Sequence, residues 1–290
     1  MKKSRKLATL GICSALFLGL AACQQQHATS EGTNQRQSSS AKVPWKASYT
    51  NLNNQVSTEE VKSLLSAHLD PNSVDAFFNL VNDYNTIVGS TDLSGDFTSF
   101  THTEYDVEKI SHLWNQKKGD FVGTNCRINS YCLLKNSVTI PKLEKNDQLL
   151  FLDNDAIDKG KVFDSQDKEE FDILFSRVPT EATTDVKVHA EKMETFFSQF
   201  QFNEKARMLS VVLHDNLDGE YLFVGHVGVL VPADDGFLFV EKLTFEEPYQ
   251  AIKFASKEDC YKYLGTKYAD YTGEGLAKPF IMDNDKWVKL

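Results

Sequence analysis

Glu220-Tyr221-Leu222-Phe223-Val224-Gly225-His226-Val227-Gly228-Val229-Leu230-Val231, then Pro232-Ala233-Asp234-Asp235-Gly236, then Phe237-Leu238-Phe239-Val240-Glu241-Lys242-Leu243-Thr244, is the stretch that decides the fold. Two runs rich in β-branched and aromatic residues flank a cluster of Pro, Asp and Gly, the pattern of a β-hairpin. Working outward, Met208–His214 alternates as a strand and ends at the turn residues Asn216-Leu217-Asp218-Gly219. Downstream, Tyr249–Phe254 reads as a fourth strand and Lys257–Leu264 as a short helix. An antiparallel meander therefore occupies the C-terminal part.

The N-terminal half changes period. Ser57-Thr58-Glu59-Glu60 resembles a helix start, with Val61, Leu64, Leu65 and Leu69 on one side. Pro71-Asn72-Ser73 opens a second helix carrying Val74, Phe77, Phe78, Leu80 and Val81, and a third is predicted from Glu104 to about Lys117. A fourth starts at Cys126 and continues through Ile128, Tyr131, Leu133 and Leu134. Leu149–Leu152 is a short apolar segment, and the acids of Asp153–Gly160 miss the EF-hand spacing, so a solvated loop is expected there. Further helices are predicted over Lys168–Arg177 and Ala190–Phe200. Helices first and an antiparallel sheet second is an α+β order. Trp114 and Tyr131 are expected in the core.

Cys126 lies in Gly123-Thr124-Asn125-Cys126-Arg127, at the start of its helix. Only a thiolate attacks carbonyls well, and a helix N-terminus and a neighbouring imidazolium both lower a thiol pKa. The free N–H groups there also suit an oxyanion, with Asn125 the side chain nearest to help. His226 is the candidate base, sharing a strand face with Val224, Gly228 and Leu230. If Val231 pairs with Gly236, Glu241 stands directly opposite His226, where a carboxylate orients the ring and steadies its cation. A one-residue slip would turn Glu241 to the other face. Taken singly, each residue also has a packing role. Cys132 and Cys260 are expected in the core, and His102, His112, His189 and His214 in surface or capping roles.

Cys126 opening a helix, His226-Val227-Gly228-Val229 on a strand and Phe239-Val240-Glu241 on the next resemble the NlpC-type branch of papain-like cysteine peptidases. The likeness covers mainly Gly123–Leu134 and Tyr221–Leu243. It implies a papain-like core, with Cys126 as nucleophile, His226 as base and Glu241 as orienting group, acting as a thiol amide hydrolase on cell-wall peptides. Asn125-Cys126-Arg127 stands where that branch has Asp-Cys-Ser/Gly, and Glu241 where it has a third histidine. The whole chain also resembles an uncharacterised family of Gram-positive lipoproteins. A non-catalytic binding or adhesin-like lipoprotein on the same scaffold is the alternative, and acyl transfer in place of hydrolysis would share the site.

Lys2, Lys3, Arg5 and Lys6 precede an apolar stretch from Leu7 to Ala22 that ends in Leu20-Ala21-Ala22-Cys23, a secretory signal with a lipobox-like end. Residues 1–22 are read as signal peptide and Cys23 as the lipidated new N-terminus, anchoring the chain at the outer face of the cytoplasmic membrane. Residues 23–45 are read as a polar tether, and 46–290 as one α+β domain with a helical annex over about 46–118. The net charge of −10 becomes more negative once the signal lysines and arginine are gone, which argues against a nucleic-acid partner. Cys126, Cys132 and Cys260 leave an odd number of exported thiols, and without a CxxC pair no metal site or other cofactor is expected. A monomer meeting peptidoglycan peptides or a surface protein is the expected mode of action.

Overall fold

The meander predicted over 208–254 is the centre of a larger sheet. The computed structural model describes residues 45–100 and 103–290, so Cys13, Cys23, the tether up to Pro44 and His102 lie outside the described residues. Eight α-helices are described: α1 (Gln55–Ser66), α2 (Pro71–Val88), α3 (Val107–Lys118), α4 (Cys126–Leu134), α5 (Phe151–Gly160), α6 (Ser165–Leu174), α7 (Val186–Phe197) and α8 (Lys257–Lys267). The strands are β1 (Ala47–Thr50), β2 (Thr98–Ser99), β3 (Val138–Thr139), β4 (Val178–Pro179), β5 (Gln201–Phe202), β6 (Arg207–Asp215), β7 (Tyr221–Ala233), β8 (Gly236–Lys242), β9 (Tyr249–Phe254), β10 (Phe280–Asp283) and β11 (Lys286–Val288). The molecule is a mixed α/β protein with an antiparallel sheet.

The sheet runs β11-β10-β6-β7-β8-β9-β1-β2, with β4 also pairing β7. The predicted β6–β9 meander is present. The flanks were not legible: β1 returns to pair with β9, and β10 with β6, across long stretches of chain. Four-residue strands carry too little periodic signal to be recognised locally.

Both faces of the sheet are covered. On one, Val224, Val227, Val229, Val231, Leu238, Val240 and Ala251 share a hydrophobic cluster with residues of α1 to α7. On the other, Leu209, Val211, Leu213, Leu230, Phe239, Ile252 and Phe254 pack with Cys260, Tyr261, Tyr263 and Leu264 of α8. Two covered faces explain why β7 reads as a nearly continuous apolar run. Trp114 and Tyr131 are buried in the first cluster, as expected.

Seven of the eight α-helices begin on an Asn, Asp or Ser whose side chain accepts a backbone N–H of the first turn: Asn54, Asp70, Asp106, Asn125, Asp164, Asp185 and Ser256. These caps explain where the sequence boundaries shift. Asn54 starts α1 ahead of Ser57, and Asp164 and Asp185 start α6 and α7 ahead of Lys168 and Ala190. The expected solvated loop at Asp153–Gly160 is instead helix α5, with Asp153 fully buried. Its acids at 155 and 158 face outward, and Ala156 and Ile157 face the core.

Candidate active site

The placement of His226 begins with an irregularity in β7. Its ladder with β6 pairs Val211 with His226 but Val212 with Val224, leaving Gly225 as an extra residue in a β-bulge. Val224 and Val227 therefore lie on the same face although three residues apart. This corrects the expected face-sharing of His226 with Val224. His226 instead pairs with Val211 and points to the α8 side.

The hairpin register also differs from expectation. Ala233 pairs with Gly236 and Val229 with Val240, so the turn is two residues long and Val231 faces Leu238, not Gly236. Glu241 is thus two residues from the position opposite His226. A slip of two preserves the face, where a slip of one would not. Gly228, between them on that face, has no side chain to block the diagonal, and His226 Nε2 meets Glu241 Oε2 at 2.5 Å.

Glu241 is held from two further directions. Tyr263 Oη donates to its Oε1 at 2.5 Å, and Lys267 Nζ lies 3.4 Å away. The Tyr268 ring stacks on His226 with centroids 4.9 Å apart. None of these residues of α8 and its C-terminal cap was singled out from the sequence. Their relevance depends on α8 packing over β8, which no local pattern reveals.

Cys126 comes from the opposite face. The β7–β8 ladder stops at Val229/Val240, and β4 rejoins that edge of β7 only at Leu222. Into the gap comes the start of α4: Arg127 Nη1 donates to Val224 O at 2.9 Å, and Ser130 Oγ to Val227 O at 3.2 Å. The His226 ring, whose Nε2 is bonded to Glu241, is also the group that acts most strongly to favour the ionised Cys126 thiol. Cys126 is 5% exposed, His226 2% and Glu241 2%.

The electrostatics follow from this geometry. Burial pushes the Cys126 thiol up, but the charge and hydrogen bond of His226, with Arg127 assisting, more than offset it, so its pKa is lowered. Burial disfavours the His226 cation, yet the sulfur and Glu241 raise its pKa to about 9. Burial likewise opposes the Glu241 charge, but Lys267, His226 and Tyr263 bring its pKa down to about 2. All three shifts run in the direction that favours a negative sulfur, a positive ring and a negative carboxylate. The other two thiols behave oppositely: burial raises Cys132 to about 12 and puts Cys260 well above its usual range. Both are free and buried, as expected of core cysteines.

Asn125, the side chain expected to help an oxyanion, is held at both ends of its amide. Its Oδ1 caps α4 by accepting Ile128 N–H at 3.1 Å, and its Nδ2 donates to Asp153 Oδ1 at 2.7 Å. The amide carries a second N–H beyond the one given to Asp153. A donor that the sequence did not flag is Tyr105. Its hydroxyl accepts N–H bonds from Asn51 at 2.8 Å and from Gln250 at 2.7 Å, which leaves its own proton to donate. Gln250 is the register partner of Glu241, so Tyr105 is tied to the strand that neighbours Glu241.

His112 is exposed, as expected. His189 and His214 are not surface residues: both are buried, with rings 4.4 Å apart. His189 bonds Thr180 and Thr183, and His214 bonds Glu220 and the Ala277 N–H, which satisfies both rings internally.

A cavity of about 170 Å³ lies between α2, α3 and the loop after β8, lined by Tyr84, Trp114, Val122, Phe245 and Glu246. Gly123, at φ +90°, sits against Trp114 and the Phe245 carbonyl, on the segment that leads into Cys126. Among the described residues no group of His, Cys, Asp and Glu is arranged to hold a metal ion.

Residues 48–288 match a domain of unknown function, DUF4300, and the chain belongs to that family. No curated protein and no solved structure matches it.

Proposed function

We propose that the chain is a thiol amide hydrolase of papain-like design, resembling the NlpC-type branch, with Cys126 as nucleophile. The observation that carries this reading is the buried Cys126–His226–Glu241 chain, in which only this one of the three described thiols is shifted toward thiolate. The Cys126 sulfur attacks the carbonyl carbon of an amide, and the oxygen takes the negative charge. Backbone N–H at the start of α4 is the donor available to that oxygen. His226 gives its Nδ1 proton to the leaving amine, the C–N bond breaks, and a thioester remains. A water then attacks the thioester while His226 takes its proton, and the C–S bond breaks to release the acid and restore the thiolate and the protonated ring. Glu241 keeps the ring oriented and its cation stabilised throughout.

The lipobox at Cys23 favours action at the outer face of the cytoplasmic membrane, on peptide bonds of the cell wall. No helix among the described residues is long and apolar enough to cross a membrane. The close cover over Cys126 favours one rival, a non-catalytic binding lipoprotein on the same scaffold.

A short iodoacetamide pulse on the full-length folded protein, read by mass spectrometry, separates the two. Cys126 should label faster than in a denatured control and far faster than Cys132 and Cys260, and His226→Ala should abolish that advantage. Labelling of Cys126 no faster than in the denatured control rejects the hydrolase.

A further inference from the structure

The residue after the nucleophile, Arg127, is a departure from the resembled pattern, and the fold uses it in three directions. Its Nε and Nη2 grip the Asp153 carboxylate at 2.9 and 2.7 Å, a two-pronged match, while Nη1 reaches the Val224 carbonyl at 2.9 Å. Asp153 is 0% exposed and also takes the Asn125 amide at 2.7 Å. One guanidinium therefore joins the first turn of α4, the first turn of α5 and the residue of β7 that immediately precedes the Gly225–His226 bulge. Asn125 and Arg127 bracket Cys126, and both are fastened to the same carboxylate.

We propose that Arg127, locked by Asp153, is the positioning residue that sets Cys126 against His226 across the gap between β7 and β8. It acts by fixing the two backbones that carry the sulfur and the imidazole. A serine or glycine at this position could span neither distance. The guanidinium charge near the sulfur works in the same direction as the geometry, since Arg127 lowers the Cys126 pKa while Asp153 opposes it. The buried carboxylate is thus better explained as the clamp on Arg127 than as an electrostatic aid to the thiol.

This inference rests on the thiolate reading of Cys126 above, and the test keeps the two apart. The rate of Cys126 alkylation by iodoacetamide is followed against pH in the full-length chain, in Arg127→Gln and in Arg127→Lys, with Asp172→Asn as control. Asp172 is a buried carboxylate that binds Lys145 and Asn154 away from the sulfur, so its variant reports loss of a buried ion pair alone. Arg127→Gln should move the inflection up by about one pH unit, roughly a tenfold slower reaction below it. Arg127→Lys keeps the charge but not the fork, and should recover only part of the shift. Asp172→Asn should lower the melting temperature and leave the inflection in place. If Arg127→Gln does not fold, Arg127→Lys carries the measurement, with the same upward direction expected. A folded Arg127 variant with the parent inflection, or a shift matched by Asp172→Asn, overturns the positioning role. An inflection at the free-thiol value of about 8.5 in the unsubstituted chain would instead reject the thiolate reading itself.

Discussion

At the residue scale, the pair Cys126–His226 sets how any hydrolysis responds to pH. The thiol must be ionised and the imidazole protonated, so the rate should rise as the lowered thiol titrates and fall as pH passes about 9, where His226 loses its proton. Rates of amide cleavage across the pH range check this, and Glu241→Gln should pull the alkaline limb down because the ring loses its carboxylate. Glu241 also links the site to stability. Its folded pKa, about 2, lies below its unfolded value, so its contribution is present above the unfolded value and is lost as pH falls toward 2. Acid unfolding followed by circular dichroism should therefore flatten in Glu241→Gln. Asn125→Ala removes the cap of α4 and a bond to Asp153, and urea denaturation should register a loss of about 1–2 kcal/mol. Cys126, His226 and Glu241 were legible because chemistry names its residue types. Tyr105, Arg127 and Asp153 were not, because a tyrosine, an arginine and an aspartate have no signature until a fold gives them partners.

At the element scale, the hairpin of β7 and β8 carries the site. Its parity was readable and its register was not: a turn of two residues and a turn of four place the same residues on the same face, so the apolar pattern cannot choose between them. The bulge at Gly225 was equally hidden, since a glycine within a strand marks a bulge or a close approach without saying which. Gly228 is the sharper probe. A Cβ there would come 2.3 Å from Phe239 Cζ and 2.8 Å from Val240 O, so Gly228→Val should force the strands apart and cost about 1–3 kcal/mol, read by thermal unfolding. The same variant should slow Cys126 labelling, because Glu241 loses its diagonal path to His226. Gly225→Val, whose Cβ meets Leu213 Cδ1 at 2.3 Å, should act through the bulge and displace His226 directly.

At the scale of the whole molecule, the sheet separates Cys126 from His226 and then rejoins them through one gap. Helices α1 to α7 bury one face and α8 the other, so the triad is assembled from both sides of the sheet. The outer strands hold this frame. Removing Phe280–Leu290 would strip β10 and β11 from β6 and expose Val211 and Val212 on a new edge. Such a chain should aggregate on size-exclusion chromatography and lose its cooperative melt, a loss of more than about 4 kcal/mol. By itself the sequence determined what depends on short-range pattern: the helices ahead of the meander other than α5, the helix start at Cys126, the strands bearing His226 and Glu241, and their shared face. Periodicity and capping are properties of neighbouring residues, so they can be read in one dimension. Only the tertiary structure decided the bulge, the two-residue turn, the closing strands β1 and β10, the α8 clamp on Glu241 and the Arg127–Asp153 tie. Each of those is a contact between distant segments, whose energy exists only once the intervening chain has folded to bring them together.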